Sequence, residues 1–267
     1  MKTKFFKTMA KHLRKFTNRS GYNTAKDDKL LRLPSVSLID ETKEVIYDPY
    51  VEPTLDMVDL GLSVLWGRYN LGAESETARG DYYAWGEVET KSDYSWATYS
   101  RNFVNGTYSN NNEKVFIKYC NSLAEDRYWA GDGHADNKLV LDSEDDVVTT
   151  LYGSRYRIPT AAEFTELING TDVISEPFGP TGRHGWKCYK KTDHSVFIFL
   201  PKVGYYDGSK LVGDVGLANY WTSTLTASPG NSDSIYYAIS ALFNTRAMIY
   251  SSYRCYGLPI RPVCSLS

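Results

Sequence analysis

The sequence predicts an α+β chain of short, mainly antiparallel strands with one or two helices and long loops. From Leu55 onward, short apolar or aromatic runs alternate with clusters of Gly, Asn, Asp and Ser, the pattern of many strands joined by turns. One helix start stands out: Thr160-Ala161-Ala162-Glu163 is a capping box behind Pro159, and Phe164, Leu167 and Ile168 supply its apolar face. No repeat of helical-array or propeller length is visible.

Taken in order, residues 58–66 and 82–85 read as strands. Residues 102–146 are polar and irregular, with Asn-rich and acidic patches, and read as loops with a short helix. After the helix begun at Thr160, strands are expected over 195–200, 203–206, 220–224, 234–242, 246–250 and 256–263. Residues 1–54 differ in kind: they hold eleven Lys/Arg, seven Asp/Glu and no Trp, and they end in the turn formers around Tyr47-Asp48-Pro49-Tyr50. This is an N-terminal arm or attachment segment, distinct from a domain at 55–267. Phe5, Met9, Leu13 and Phe16 are spaced for one amphipathic helix with a basic outer face, either a docking element or a solvated start.

Composition narrows the function classes. The chain has 267 residues, 42% hydrophobic, enough to bury a core without staples. A formal net charge of -2 gives no electrostatic reason for nucleic acid or an anionic membrane as main partner. The 22 Tyr and 6 Trp outweigh 10 Phe, a bias toward rings that are apolar on the face and polar at the tip, suited to binding surfaces. Cys120, Cys188, Cys255 and Cys264 have no metal-finger spacing and read as scattered reduced thiols; Cys255 and Cys264 could meet in a hairpin. The first twenty residues are basic but lack the apolar run of a signal peptide, and no stretch is long enough for a membrane span.

Four segments, in this order, resemble a known family. They are Val58-Asp59-Leu60-Gly61-Leu62-Ser63-Val64-Leu65-Trp66 with Gly80-Asp81-Tyr82-Tyr83-Ala84-Trp85-Gly86-Glu87; Arg155-Tyr156-Arg157-Ile158-Pro159-Thr160-Ala161-Ala162-Glu163-Phe164; Phe199-Leu200-Pro201 with Gly204-Tyr205; and Gly257-Leu258-Pro259-Ile260-Arg261-Pro262-Val263. Together they resemble the C-type-lectin-like domains of bacterial gut surface proteins and of the variable proteins of diversity-generating retroelements, relatives of the formylglycine-generating enzyme fold. The arm is similar to the starts of such proteins in phages and prophages of Bacteroides-like bacteria. Each motif also has a structural reading of its own, as an aromatic strand, a helix start or an edge strand. Fold alone does not give function.

The resemblance implies a ligand-binding display protein, not an enzyme. Its ligand-facing residues would lie near the C-terminus, rewritten by adenine-directed mutagenesis of Asn codons that reach Tyr, Ser, Cys, Arg or Ile but never Lys, Glu, Gln, Met or Trp. Residues 1–210 hold 17 Lys and 13 Glu, so at equal density about eight would fall in the last 57 residues, and none does. A variable region at about 232–256 follows, in which only Met248 is out of reach of such codons. The expected contacts are Ser234, Tyr236, Ser240, Asn244, Arg246, Ile249, Tyr250, Ser251, Ser252, Tyr253 and Cys255. Arg254 and Arg261 are expected to serve the scaffold.

The expected partner is a protein or a surface glycan, with the arm joining a phage tail or other surface assembly, in a virion or at a cell surface. No cofactor is expected. Two other readings stay open: a thiol oxidase of the formylglycine-generating type, for which Cys255 and Cys264 are the candidate cysteines, and a non-diversified structural module. The spacing of nine between those cysteines departs from the enzyme pattern. The Glu-Pro-Asn, Gln-Pro-Asp and Trp-Asn-Asp motifs of calcium-dependent lectins are absent, although Asp142-Ser143-Glu144-Asp145-Asp146 could hold an ion weakly. His134, His184 and His194 have no nucleophile elbow beside them, and no phosphate-binding glycine loop occurs.

Overall fold

The computed structural model describes residues 54–100, 116–120, 135–226 and 236–266, all within the unit Val51–Ser267. The expected arm and its amphipathic helix, Ser234, and most of the stretch read as irregular lie outside the described residues.

The architecture is α+β, with antiparallel pairing in every sheet. β1 (Met57–Val58), β2 (Val64–Gly67), β14 (Val263–Ser265) and β4 (Tyr156–Arg157) form a four-stranded sheet in the order β1-β2-β14-β4, so the closing strand pairs with an early one. β3 (Tyr82–Tyr83) pairs with β13 (Leu258–Pro259). A second sheet joins β5 (Thr171–Phe178), β6 (Arg183–Lys190) and β7 (Asp193–Pro201), and β8 (Tyr205–Asp207) pairs with β9 (Lys210–Val212). The third sheet, β10 (Ala218–Leu225), β11 (Tyr237–Phe243) and β12 (Ala247–Tyr253), carries most of the expected contact residues. The helices are α1 (Val147–Tyr152) and α2 (Ala161–Gly170).

Local chemistry accounts for these boundaries. Thr160 caps α2 by accepting from Glu163 N–H while the Glu163 carboxylate takes the Thr160 N–H, the expected capping box. Asp146 caps α1, accepting from Val148 and Thr149 N–H and also from Ile158 N–H at 2.8 Å. Residues 58–66, expected as one strand, are instead a hairpin. Gly61 turns there at φ +74°, and its N–H is held by Asp59 Oδ1 at 2.7 Å. Residues 256–263 likewise divide, because Pro259 and Pro262 cannot donate to a ladder and the chain passes from β13 to β14 in another sheet. Gly257 precedes that passage; a Cβ on it would meet the Tyr94 ring at 2.7 Å, so the close approach requires glycine.

The third sheet lies between two cores because side chains alternate across a strand. Ala218, Tyr220, Ala241 and Phe243 face a cluster with Trp66, Phe164, Leu167 and Val263. Trp221, Leu225 and Ala238 face a second cluster with Tyr83, Trp85, Ile158 and Leu258. A third, mostly aromatic cluster gathers Tyr82, Tyr94, Tyr99 and Phe116 with Cys120 and Cys255, and Tyr236 and Tyr253 pack against it.

Candidate binding face

β11 and β12 are paired without a bulge over seven residue pairs, from Tyr237↔Tyr253 to Phe243↔Ala247. That register decides what each expected contact residue can do. Asn244 and Arg246 sit in the exposed turn between the strands, where Asn244 Oδ1 accepts from Thr245 Oγ1 at 3.1 Å. Tyr250 is 50% exposed, the most open of the described aromatic side chains. Ser251 is half-buried, its hydroxyl 3.2 Å from that of Thr226.

The other expected contacts are turned inward to differing degrees. Ile249 is half-buried against the first core cluster. Ser240, Ser252 and Cys255 are buried, which corrects their expected role as ligand contacts. The Ser240 and Ser252 hydroxyls lie 3.0 Å apart, and Asn219 Nδ2 donates to Ser252 Oγ at 3.0 Å, so these small polar side chains satisfy one another inside the sheet. Tyr236 packs edge-on against Trp96 and at a tilt against Phe116, both with centroids 5.7 Å away.

Tyr253 is a junction. Its ring stacks on Tyr237 at 4.5 Å and meets Tyr256 edge-on at 5.4 Å and Trp96 at 6.0 Å. Tyr256 continues to Tyr205 on β8 at 5.0 Å. Tyrosines 237, 253, 256 and 205 thus form a run of half-buried rings, and Tyr250 is exposed on the same strand as Tyr253. Burial, followed by the Asp207 carboxylate, holds the Tyr205 and Tyr256 phenols above their usual range. At neutral pH they keep their protons, giving apolar ring area with hydroxyls that donate and accept. Tyr205, Tyr237 and Tyr256 were not among the residues expected from the sequence to lie on this face. Tyr205 and Tyr206 are both half-buried, Tyr205 packed against the second cluster and Tyr206 against the third.

Other candidate chemistry resolves into structure. All four cysteines are buried thiols outside any disulfide; Cys255 belongs to the third cluster and Cys264 to the second, where Arg155 Nε donates to its sulfur at 3.2 Å. Asp142, Glu144 and Asp145 converge closely enough to hold a cation, and Lys118 Nζ already lies among them at 2.6, 2.9 and 2.6 Å. His194 Nε2 is 2.7 Å from Asp172 Oδ2 and its ring stacks on Tyr189, an exposed surface pair. Among the described residues, no helix is long and apolar enough to cross a membrane. Compared with protein-family models, curated proteins and solved structures, the chain matches none of them.

Proposed function

We propose that this chain is a ligand-binding display protein with a C-type-lectin-like domain, whose β11–β12 face is diversified by retroelement mutagenesis to recognise a protein or a surface glycan. The observation that carries the reading is the coincidence of two features. The last 57 residues contain no Lys or Glu, and they contribute Tyr237, Tyr253 and Tyr256 to the tyrosine run and the exposed Tyr250 beside it on β12. Tyrosine gives large contact area with few rotors to immobilise, and small polar neighbours such as Asn244 and Ser251 add adaptable hydrogen bonds. Binding of this kind needs no catalytic group, and the cysteines that an oxidase reading would use are buried in separate clusters. The arm would join the domain to a phage tail or another surface assembly.

The test is to sequence the DNA flanking the gene. The reading predicts a reverse transcriptase gene and a near-copy of the final coding segment that differs chiefly at adenines. Absence of both would leave the missing Lys and Glu without this explanation and would overturn the diversification.

A further inference from the structure

β12 is the outer strand of its sheet, whose order is β10-β11-β12. In an antiparallel pair, residues alternate between those that bond to the neighbour and those whose main-chain groups point away. Arg254 N–H donates to Tyr236 O, and Asn244 N–H donates to Arg246 O. In this register, 248, 250 and 252 therefore bond to β11, while Ala247, Ile249 and Ser251 aim N–H and C=O away from the sheet. Among the described residues, these outward groups take part in no hydrogen bond.

Sheet edges are normally blunted by lysine, proline or a bulge. From Ala247 to Tyr253, β12 has no charged residue, no proline and no bulge, and its sequence Ala-Met-Ile-Tyr-Ser-Ser-Tyr favours extended backbone. Its outward donors and acceptors repeat every two residues, about 7 Å apart, a period that another extended polypeptide matches and a glycan does not.

We infer that the free edge of β12 receives an extended segment of a ligand protein as a fourth strand of the β10–β11–β12 sheet. The inference rests on the binding face proposed above and names its partner class. Main-chain pairing gives affinity that survives replacement of side chains, while Met248 and Tyr250 on one face and Ser251 on the other set selectivity. Edge-to-edge pairing with a second copy of the chain is the competing occupant, and the dimer it would form is one outcome of the test.

The test pans a phage-displayed library of random dodecapeptides against the full chain. Enriched peptides are expected to lose affinity about tenfold or more when N-methylated at alternate residues in one register, and to keep it in the other. They should lose a similar factor against Ile249→Pro, which removes an outward N–H while leaving the β11 bonds in place, and bind Ile249→Val normally. The N-methyl series needs no variant, so it decides the matter even if Ile249→Pro fails to fold. Three results would each overturn strand docking: no enrichment, indifference to N-methylation in both registers, or sedimentation as a dimer that Ile249→Pro converts to monomer. A diversified gene combined with any of these would leave the binding face standing and remove only the strand.

Discussion

Two arginines near the C-terminus carry their charge into the interior, and their surroundings explain why they serve the scaffold. Arg261 donates from Nε and Nη2 to Asn70 Oδ1 at 3.1 and 2.7 Å, from Nη1 to Gly67 O at 3.0 Å, and from Nη2 to Phe199 O at 2.7 Å. One guanidinium thus ties the chain after β2 to the end of β7 and the approach to β14. Arg254 donates to Tyr119 O at 2.8 Å and lies over the Phe116 ring at 4.6 Å. Lysine cannot reproduce the planar fork, so Arg261→Lys should cost about 2–4 kcal/mol in urea unfolding. A loss below about 0.5 kcal/mol would contradict this account of the site. The Lys118 cluster makes a prediction of opposite character, visible only through pH. Hydrogen bonds from Lys118 and then Lys138 hold the Asp142 carboxyl below its usual range, and Arg79 does the same for Asp214. Burial pushes Glu163 upward, but Arg157 at 2.7 Å outweighs it and the net displacement is downward. These carboxyls bind fewer protons folded than unfolded. Their stabilisation is present above the unfolded carboxylate pKa of roughly 4 and is lost as pH falls through the lower folded values. Asp146 acts in the other direction, since burial holds it above its usual range against three N–H donors, and it returns part of the loss in acid. Urea midpoints of wild type and Lys118→Met should differ at neutral pH and converge in acid. A gap that stays constant down to about pH 3 would contradict the coupling.

At the scale of elements, what was legible in the sequence followed from how local its cause is. α2 could be read because the capping box and the spacing of Phe164, Leu167 and Ile168 lie within one short segment. β7, β10 and β11 could be read because aromatic, β-branched and other apolar residues are dense in each, as in residues 196–200 and 220–222 and in Tyr237–Phe243. β5 and β6 escaped because they stabilise each other through mixed pairs that look like loop in isolation. Lys187 reaches Glu176 at 2.8 Å while lying over the Phe178 and Phe197 rings at 4.4 and 4.5 Å. In composition Tyr250 and Ser251 on β12 are of one kind with Ser252 and with Ser240 on β11, yet Ser240 and Ser252 are buried while Tyr250 is exposed. Only the cross-strand pairs Ser240↔Tyr250 and Ala238↔Ser252, with Asn219 beneath, separate the buried serines from the accessible residues. The tyrosine run was illegible for a similar reason, since Tyr205 and Tyr256 lie fifty-one residues apart and meet beside the isolated bridge between Tyr206 and Gly257.

Across the unit Val51–Ser267, the third sheet is held from both sides, by the first core cluster under Phe243 and Tyr220 and by the second under Trp221. The pairing of β2 with β14 joins residues near the two ends of the described chain. A face supported in this way can exchange its outward side chains while its backbone stays in place, because the cost of substitution depends on burial. On the proposed diversification, burial defines where change is tolerated: at the turn of Asn244 and Arg246, at Tyr250 and Ser251, and at the rim of the tyrosine run. Ser240, Ser252, Arg254 and Arg261, which are buried, should stay fixed. The most direct measurement is to sequence this gene from many independent isolates of its source. The account predicts that amino-acid differences concentrate between residues 236 and 256 at the exposed and half-buried positions, enter through adenine changes, and spare those four residues. Differences spread evenly along the chain, or falling as often on the four buried residues as on Tyr250, would contradict it.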